Sequence, residues 1–85
     1  MNNVVFRIIT LSNQYQPLTS RPSEILSVTV QMPVRNKQDA SFQGEGGAAV
    51  PFQKGTCFEL KKVNLAEIKV KGRPGDKIVL VGGTW

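Results

Sequence analysis

Few side chains in this sequence are of a type that performs covalent chemistry. Cys57 is the one cysteine, and no histidine occurs among the 85 residues. Serine and cysteine nucleophiles depend on a neighbouring base, most often His, to take up the proton. A hydrolase triad therefore lacks its base here. Cys57 also precedes Phe58 in an alternating stretch; with Phe58 facing a core, the thiol turns to the opposite face and reads as structural. A lone cysteine cannot close an internal disulfide or build a zinc site. Hard cations need converging carboxylates, and Glu59, Glu67 and Asp76 are dispersed among lysines. Gly44-Glu45-Gly46-Gly47 has the composition of a phosphate loop, but such loops feed a helix whose N–H groups meet the phosphate. The next residues are Ala48-Ala49-Val50-Pro51, so the glycines read as a turn between strands. The expectation is a protein that is not an enzyme, with no catalytic, cofactor-binding or metal-binding residues.

Binding residues are better represented. The formal net charge is +5, from 11 Lys and Arg against 6 Asp and Glu. Seven of the cations fall between Lys54 and Lys77. A basic balance suits nucleic acid, an acidic protein or solubility alone. Lys69 and Lys71 share one face of an alternating strand, and Arg73 and Lys77 flank the adjoining turn. Single-strand nucleic-acid binders add exposed aromatics on which bases stack. Alternation assigns Phe6, Phe42, Phe52 and Phe58 inward, which leaves Tyr15 and Trp85 for that role. An indole at Trp85 serves equally as an interface anchor or as a cover over the open end of its own core. The candidate contact residues are thus Tyr15, Lys69, Lys71, Arg73, Lys77 and Trp85.

The elements that position these residues are strands. Val4, Phe6 and Ile8 alternate with Val5, Arg7 and Ile9 in a β-branched run through Leu11, apolar in part on both faces. A short edge segment falls near Tyr15–Thr19, interrupted by Pro17, and Ser20-Arg21-Pro22-Ser23 is a turn. Leu26, Val28, Val30 and Met32 alternate with Ser27, Thr29 and Gln31, the cleanest half-buried strand in the chain. Short strands come next at Ser41–Gln43, with Phe42 inward, and at Ala48–Phe52. Another runs through Phe58 and Leu60, and Val63–Ala66 forms a short turn. Ile68 and Val70 alternate with Glu67, Lys69 and Lys71. Pro74-Gly75 is the pair favoured at the centre of a type II turn, and an apolar strand lies beyond it at Ile78–Val81, so residues 67–82 read as a hairpin. No apolar set recurs at helical spacing. Six to eight short strands predict an all-β fold, a single small antiparallel β-sandwich or jelly-roll-like barrel spanning residues 1–85, with residues 1–3 as a flexible N-terminal arm.

A chain of this length hides only about 60–65% of its unfolded surface. Disulfides and metals being absent from its means, oligomerisation is the expected source of extra stability. No apolar run approaches the roughly 20 residues that span a bilayer, and the start lacks the basic region of a signal peptide. The expectation is a product made in a cytoplasm, with no membrane partner.

From Val28 onward the order of elements resembles a family of small bacteriophage virion proteins, β-sandwich modules of the capsid decoration, cement or head–tail accessory type. The features are the strand Ser27-Val28-Thr29-Val30-Gln31, a polar connection containing Asn36, the segment Gly44 to Gly47 and the corner Pro51-Phe52-Gln53-Lys54-Gly55. Next come the strand Cys57 to Leu60, the run Val63-Asn64-Leu65-Ala66-Glu67-Ile68-Lys69-Val70-Lys71-Gly72 and the Pro-Gly-Asp turn. The resemblance implies a virion protein made in the host cytoplasm, non-enzymatic, binding and stabilising capsid or head–tail subunits. Its expected partner is the major capsid protein, and it is expected to be a homo-oligomer, with a trimer as first choice. It implies no cofactor. The competing reading is a small β-barrel that binds single-stranded nucleic acid.

Overall fold

The computed structural model describes residues 4–22, 24–44 and 46–84. The expected arm at residues 1–3 lies outside the described residues, as does Trp85. Eight strands form in chain order: β1 (Val4–Thr10), β2 (Gln16–Pro17), β3 (Ile25–Gln31), β4 (Ala40–Gln43), β5 (Ala49–Phe52), β6 (Cys57–Asn64), β7 (Lys69–Lys71) and β8 (Lys77–Gly83). One turn of 3-10 helix, Leu65–Glu67, is capped by the Asn64 side chain, which accepts from the Ala66 N–H. The all-β reading holds.

The strands form two antiparallel four-stranded sheets, ordered β1-β8-β3-β6 and β2-β7-β4-β5. Strands pair first with last: β1 with β8, β2 with β7, β3 with β6 and β4 with β5. The chain is thus one long antiparallel ribbon folded over on itself, with its tip at the Gly44–Gly47 turn. That is the jelly-roll arrangement, one of the ways a β protein limits its exposed edges.

Period-two burial fills the space between the sheets. Val28 and Val30 of β3, Ile78 and Leu80 of β8, Phe42 of β4 and Val70 of β7 are buried, with Leu11, Leu18, Leu26, Met32, Ala40 and Leu65 from strand ends and corners. Gly82 lies where β8 presses on β3. A Cβ there would stand 2.1 Å from the Ser27 carbonyl oxygen and 2.7 Å from the Val28 Cα, so only glycine fits. Ser27 faces both Lys61 and Lys62 across a β-bulge, and Lys62 takes φ +51° and donates its N–H to the Ser27 hydroxyl at 3.1 Å. The extra residue bends β6 away from flat pairing.

Two expectations are corrected. Residues 67–82 are not a hairpin: β7 pairs with β2 and β4, whereas β8 pairs with β1 and β3. The Pro74-Gly75 turn does form, with Gly75 at φ +95° and the Asp76 N–H donating to the Arg73 carbonyl at 3.0 Å. It is a corner that carries the ribbon from one sheet to the other, held by Leu11 N–H to Asp76 carbonyl at 2.7 Å and Gly72 N–H to Ser12 carbonyl at 2.9 Å. The second correction is Phe6, which faces solvent with 74% of its surface exposed. Arg7 turns inward instead because Glu24 meets it there, and this fixes the parity of the strand.

Candidate interaction surface

The face that β1 and β8 turn to solvent is apolar. Val4, Phe6 and Ile8 are 60, 74 and 68% exposed, and Val81, the cross-strand neighbour of Phe6, is 39% exposed. Val79 stands beside Ile8 on the same face. Further across, the rows become polar: Thr29 and Glu59 continue the Phe6–Val81 row, and Gln31 and Cys57 the Ile8–Val79 row. The four most exposed side chains leave on the order of 400 Å² of apolar surface in water, the size of patch that marks contact sites. Cys57 is exposed, on the face away from Phe58 as its alternation implies.

Behind this strip sits a charged cluster the sequence reading missed. Arg7 donates both guanidinium nitrogens to the two Glu24 oxygens, with Nη2 to Oε2 at 2.7 Å, and Arg21 adds Nη1 to Oε2 at 3.1 Å. The Arg7 and Glu24 side chains are 27 and 10% exposed. The Arg7 bonds hold the Glu24 carboxyl at about 2, below its ordinary 4.5, against the opposing effect of burial. The pair ties the crossover before β3 to β1 and cancels the one charge on that strand.

The basic candidates divide between two places. Lys69 and Lys71 project from the outward face of β7, opposite Gln43 and Ser41 of β4. The Lys71 ammonium lies over the Tyr15 ring, 4.9 Å from its centre, so these two share one surface. Arg73 and Lys77 stand around the corner turn, where they line a depression with Arg35 and Lys37. Sequence reasoning missed Arg35 and Lys37, which lie in a polar connection without periodicity. What brings them there is a tertiary clamp: Asn36 exchanges two hydrogen bonds with the Lys77 backbone, at 2.7 and 3.0 Å. Asp76 accepts from the N–H groups of Lys37 and Gln38 at 2.9 and 3.1 Å. Burial alone would raise the Asp76 carboxyl, but these bonds and the charges of Arg73 and Lys37 hold it below the ordinary aspartate range.

A third feature is the opening between the sheets on the β5–β6 side. Phe52 stacks on Phe58 with ring centres 4.5 Å apart, and Phe42 meets both edge-on. With Val50, Leu60 and Ile68 these rings line a cleft of about 220 Å³. Gln43 is its polar wall residue, so little in it would orient a small ligand by hydrogen bonding. Among the described residues no three of Cys, Asp and Glu gather as a group able to hold a metal ion. Among those residues, too, no helix is long and apolar enough to cross a membrane.

No protein-family model matches the chain, and no curated protein matches it. Among solved structures, it is similar to an RmlC-like cupin protein from Desulfovibrio desulfuricans, with a TM-score of 0.51 and 17% identity. The match covers 99% of this chain and 80% of that one. At this identity the likeness carries the fold alone, and it agrees with the strand order: the chain has a cupin-like jelly-roll fold.

Proposed function

We propose that this protein is a virion structural subunit that acts by surface contact, binding and stabilising capsid or head–tail proteins in the manner of a decoration protein. The observation that carries the reading is the solvent-facing apolar strip of Val4, Phe6, Ile8 and Val81. An apolar ladder of this size on a small domain is disfavoured in water and becomes stabilising once another protein covers it. Two further features support the reading. Jelly rolls recur among viral capsid domains, and the segments from Val28 to the Pro-Gly-Asp turn resemble small phage virion proteins. Its partner in this reading is the major capsid protein, reached as a homo-oligomer and without catalysis. The test is quantitative mass spectrometry of purified particles. A fixed number of copies per capsid is expected; protein found free in the host lysate and missing from particles removes the reading.

A second reading has one specific observation in its favour. Tyr15 and Lys71 meet on a surface that also carries Lys69, as a single-stranded nucleic-acid binder requires. On this reading affinity falls steeply with salt as counterions are released, and Lys69→Glu, Lys71→Glu and Arg73→Glu together abolish it. Absence of oligonucleotide binding at low ionic strength eliminates this alternative.

A further inference from the structure

The two sheets have four edge strands, and three carry devices that discourage pairing with another chain. β2 has two residues, one of them Pro17. β5 contains Pro51. β6 carries Lys61 and Lys62 at its bulge, with Lys62 at φ +51°. β1 has none of these: its seven residues, Val-Val-Phe-Arg-Ile-Ile-Thr, contain no proline and pair with β8 in unbroken register. Its one charge, Arg7, is drawn inward onto Glu24.

The ladder also decides which backbone groups of β1 are free. The Leu11 N–H donates to the Asp76 carbonyl, and in an antiparallel pair such bonding alternates from one residue to the next. The odd-numbered residues of β1 therefore bond to β8, and the N–H and carbonyl groups of Val4, Phe6 and Ile8 face the open edge. Thr10 has the same parity, and its carbonyl accepts from the Gln16 side chain at 2.9 Å on that side. No backbone bond from outside the sheet reaches residues 4–8 among the described residues.

We propose that this edge pairs with β1 of a second copy, antiparallel and centred on Phe6, to make one continuous eight-stranded sheet. The inference rests on the reading of the chain as an assembling subunit and specifies one of its contacts. Phe6 then faces Phe6 of the partner copy, Val4 faces Ile8, and about six backbone hydrogen bonds close the seam. A second copy fits for three reasons. Val4 and Ile8, both apolar and exposed, stand two residues either side of Phe6, so a two-fold pairing on Phe6 sets each against the other and opposes no polar side chain to them. The net charge of +5 disfavours self-contact elsewhere, but this strand opposes no like charges. Finally, pairing the two edges sets Phe6 of one copy beside Phe6 of the other and Val4 beside Ile8, so the exposed side chains of β1 shield one another along the seam.

Sedimentation equilibrium of the whole chain, up to millimolar concentration, tests the proposal. The expected species has twice the 9.3 kDa chain mass, and Phe6→Lys, at an exposed position, should weaken association roughly a hundredfold while leaving the circular dichroism spectrum unchanged. A cross-link reads the register. In a Cys57→Ser background, Phe6→Cys should oxidise to a covalent dimer, because paired Cα atoms about 5.5 Å apart lie within disulfide reach. Val4→Cys alone should not. A monomer at all concentrations, a dimer indifferent to Phe6→Lys, or equal cross-linking from Val4→Cys overturns the proposal. A monomer that still sits on particles in fixed copy number overturns the pairing and leaves the proposed function standing. A dimer missing from particles does the reverse.

Discussion

Replacing Glu24 by glutamine removes the charge on which the Arg7 orientation depends and leaves the shape of the side chain. The carboxyl is held at about 2 against an ordinary 4.5, and at 1.36 kcal/mol per unit that difference amounts to about 3 kcal/mol of stability at neutral pH. Exposure of Arg7, 27%, brings water close enough to reduce it, so a loss of about 2 kcal/mol is the working figure. For a chain of this length, each kcal/mol moves Tm by roughly 4–8 °C, so Glu24→Gln should melt roughly 10 °C or more below the parent protein at pH 7. The sign comes from the direction of the shift. A carboxyl whose value is lowered on folding contributes stability that is complete above 4.5 and is lost as pH falls toward 2. Parent and variant should therefore converge in urea titrations run from pH 7 down to pH 2.5. The other carboxylates, including Asp76, occur in both proteins and cancel in the difference. A gap that stays constant over that range, or one below about 0.5 kcal/mol at pH 7, would refute the assignment of Arg7 and Glu24 as the lock on β1.

Gly82→Ala should be the most damaging small substitution in the chain. Its Cβ meets backbone at 2.1 Å, and a loss of about 3 kcal/mol or outright failure to fold is expected in thermal melts. Asn36→Ala should cost about 2 kcal/mol, since it strips both hydrogen bonds from the Lys77 backbone; chemical denaturation measures it, and amide exchange should accelerate at Lys77. Lys62→Gly should stabilise by up to about 1 kcal/mol, because glycine accepts φ +51° without the penalty other residues incur; a lower denaturation midpoint would contradict the strain at this bulge.

The strand that was easiest to read, residues 26–32, is the one whose two faces differ most. Val28, Val30 and Met32 are buried in the core between the sheets, whereas Thr29 and Gln31 lie on the outer face, where Ser27 alone is buried, at the bulge. β1 was legible as a strand but not in its orientation. Both of its faces are apolar, so the single charge of Arg7 became the cue for which side is wet. The cue failed because its partner, Glu24, stands 17 residues later in a crossover without periodicity. The corner at Arg73–Asp76 was readable as a type II turn because Pro and Gly fix its dihedral angles locally. Whether the two flanking strands pair with each other or part to different sheets depends on Leu11, Ser12 and Gly72, far apart in the chain. The basic residues on β7 were legible as a shared face. The convergence of Arg73 and Lys77 with Arg35 and Lys37 was not, since it depends on Asn36 bonding to residue 77.

Nesting the first strand against the last sets an order on how the molecule can come together. β8 lies between β1 and β3, so the N-terminal half of the chain emerges from the ribosome without the strand that joins it. Until residues 77–83 are made, β1 has no neighbour in its sheet, and its apolar face and both of its edges are open. Closing so long a loop is slow, and a late strand that must slide between two waiting ones leaves a window for wrong pairings. Removing residues 77–83 should therefore do more than shorten the protein: it would divide one sheet in two and release β1 as an unpaired apolar strand.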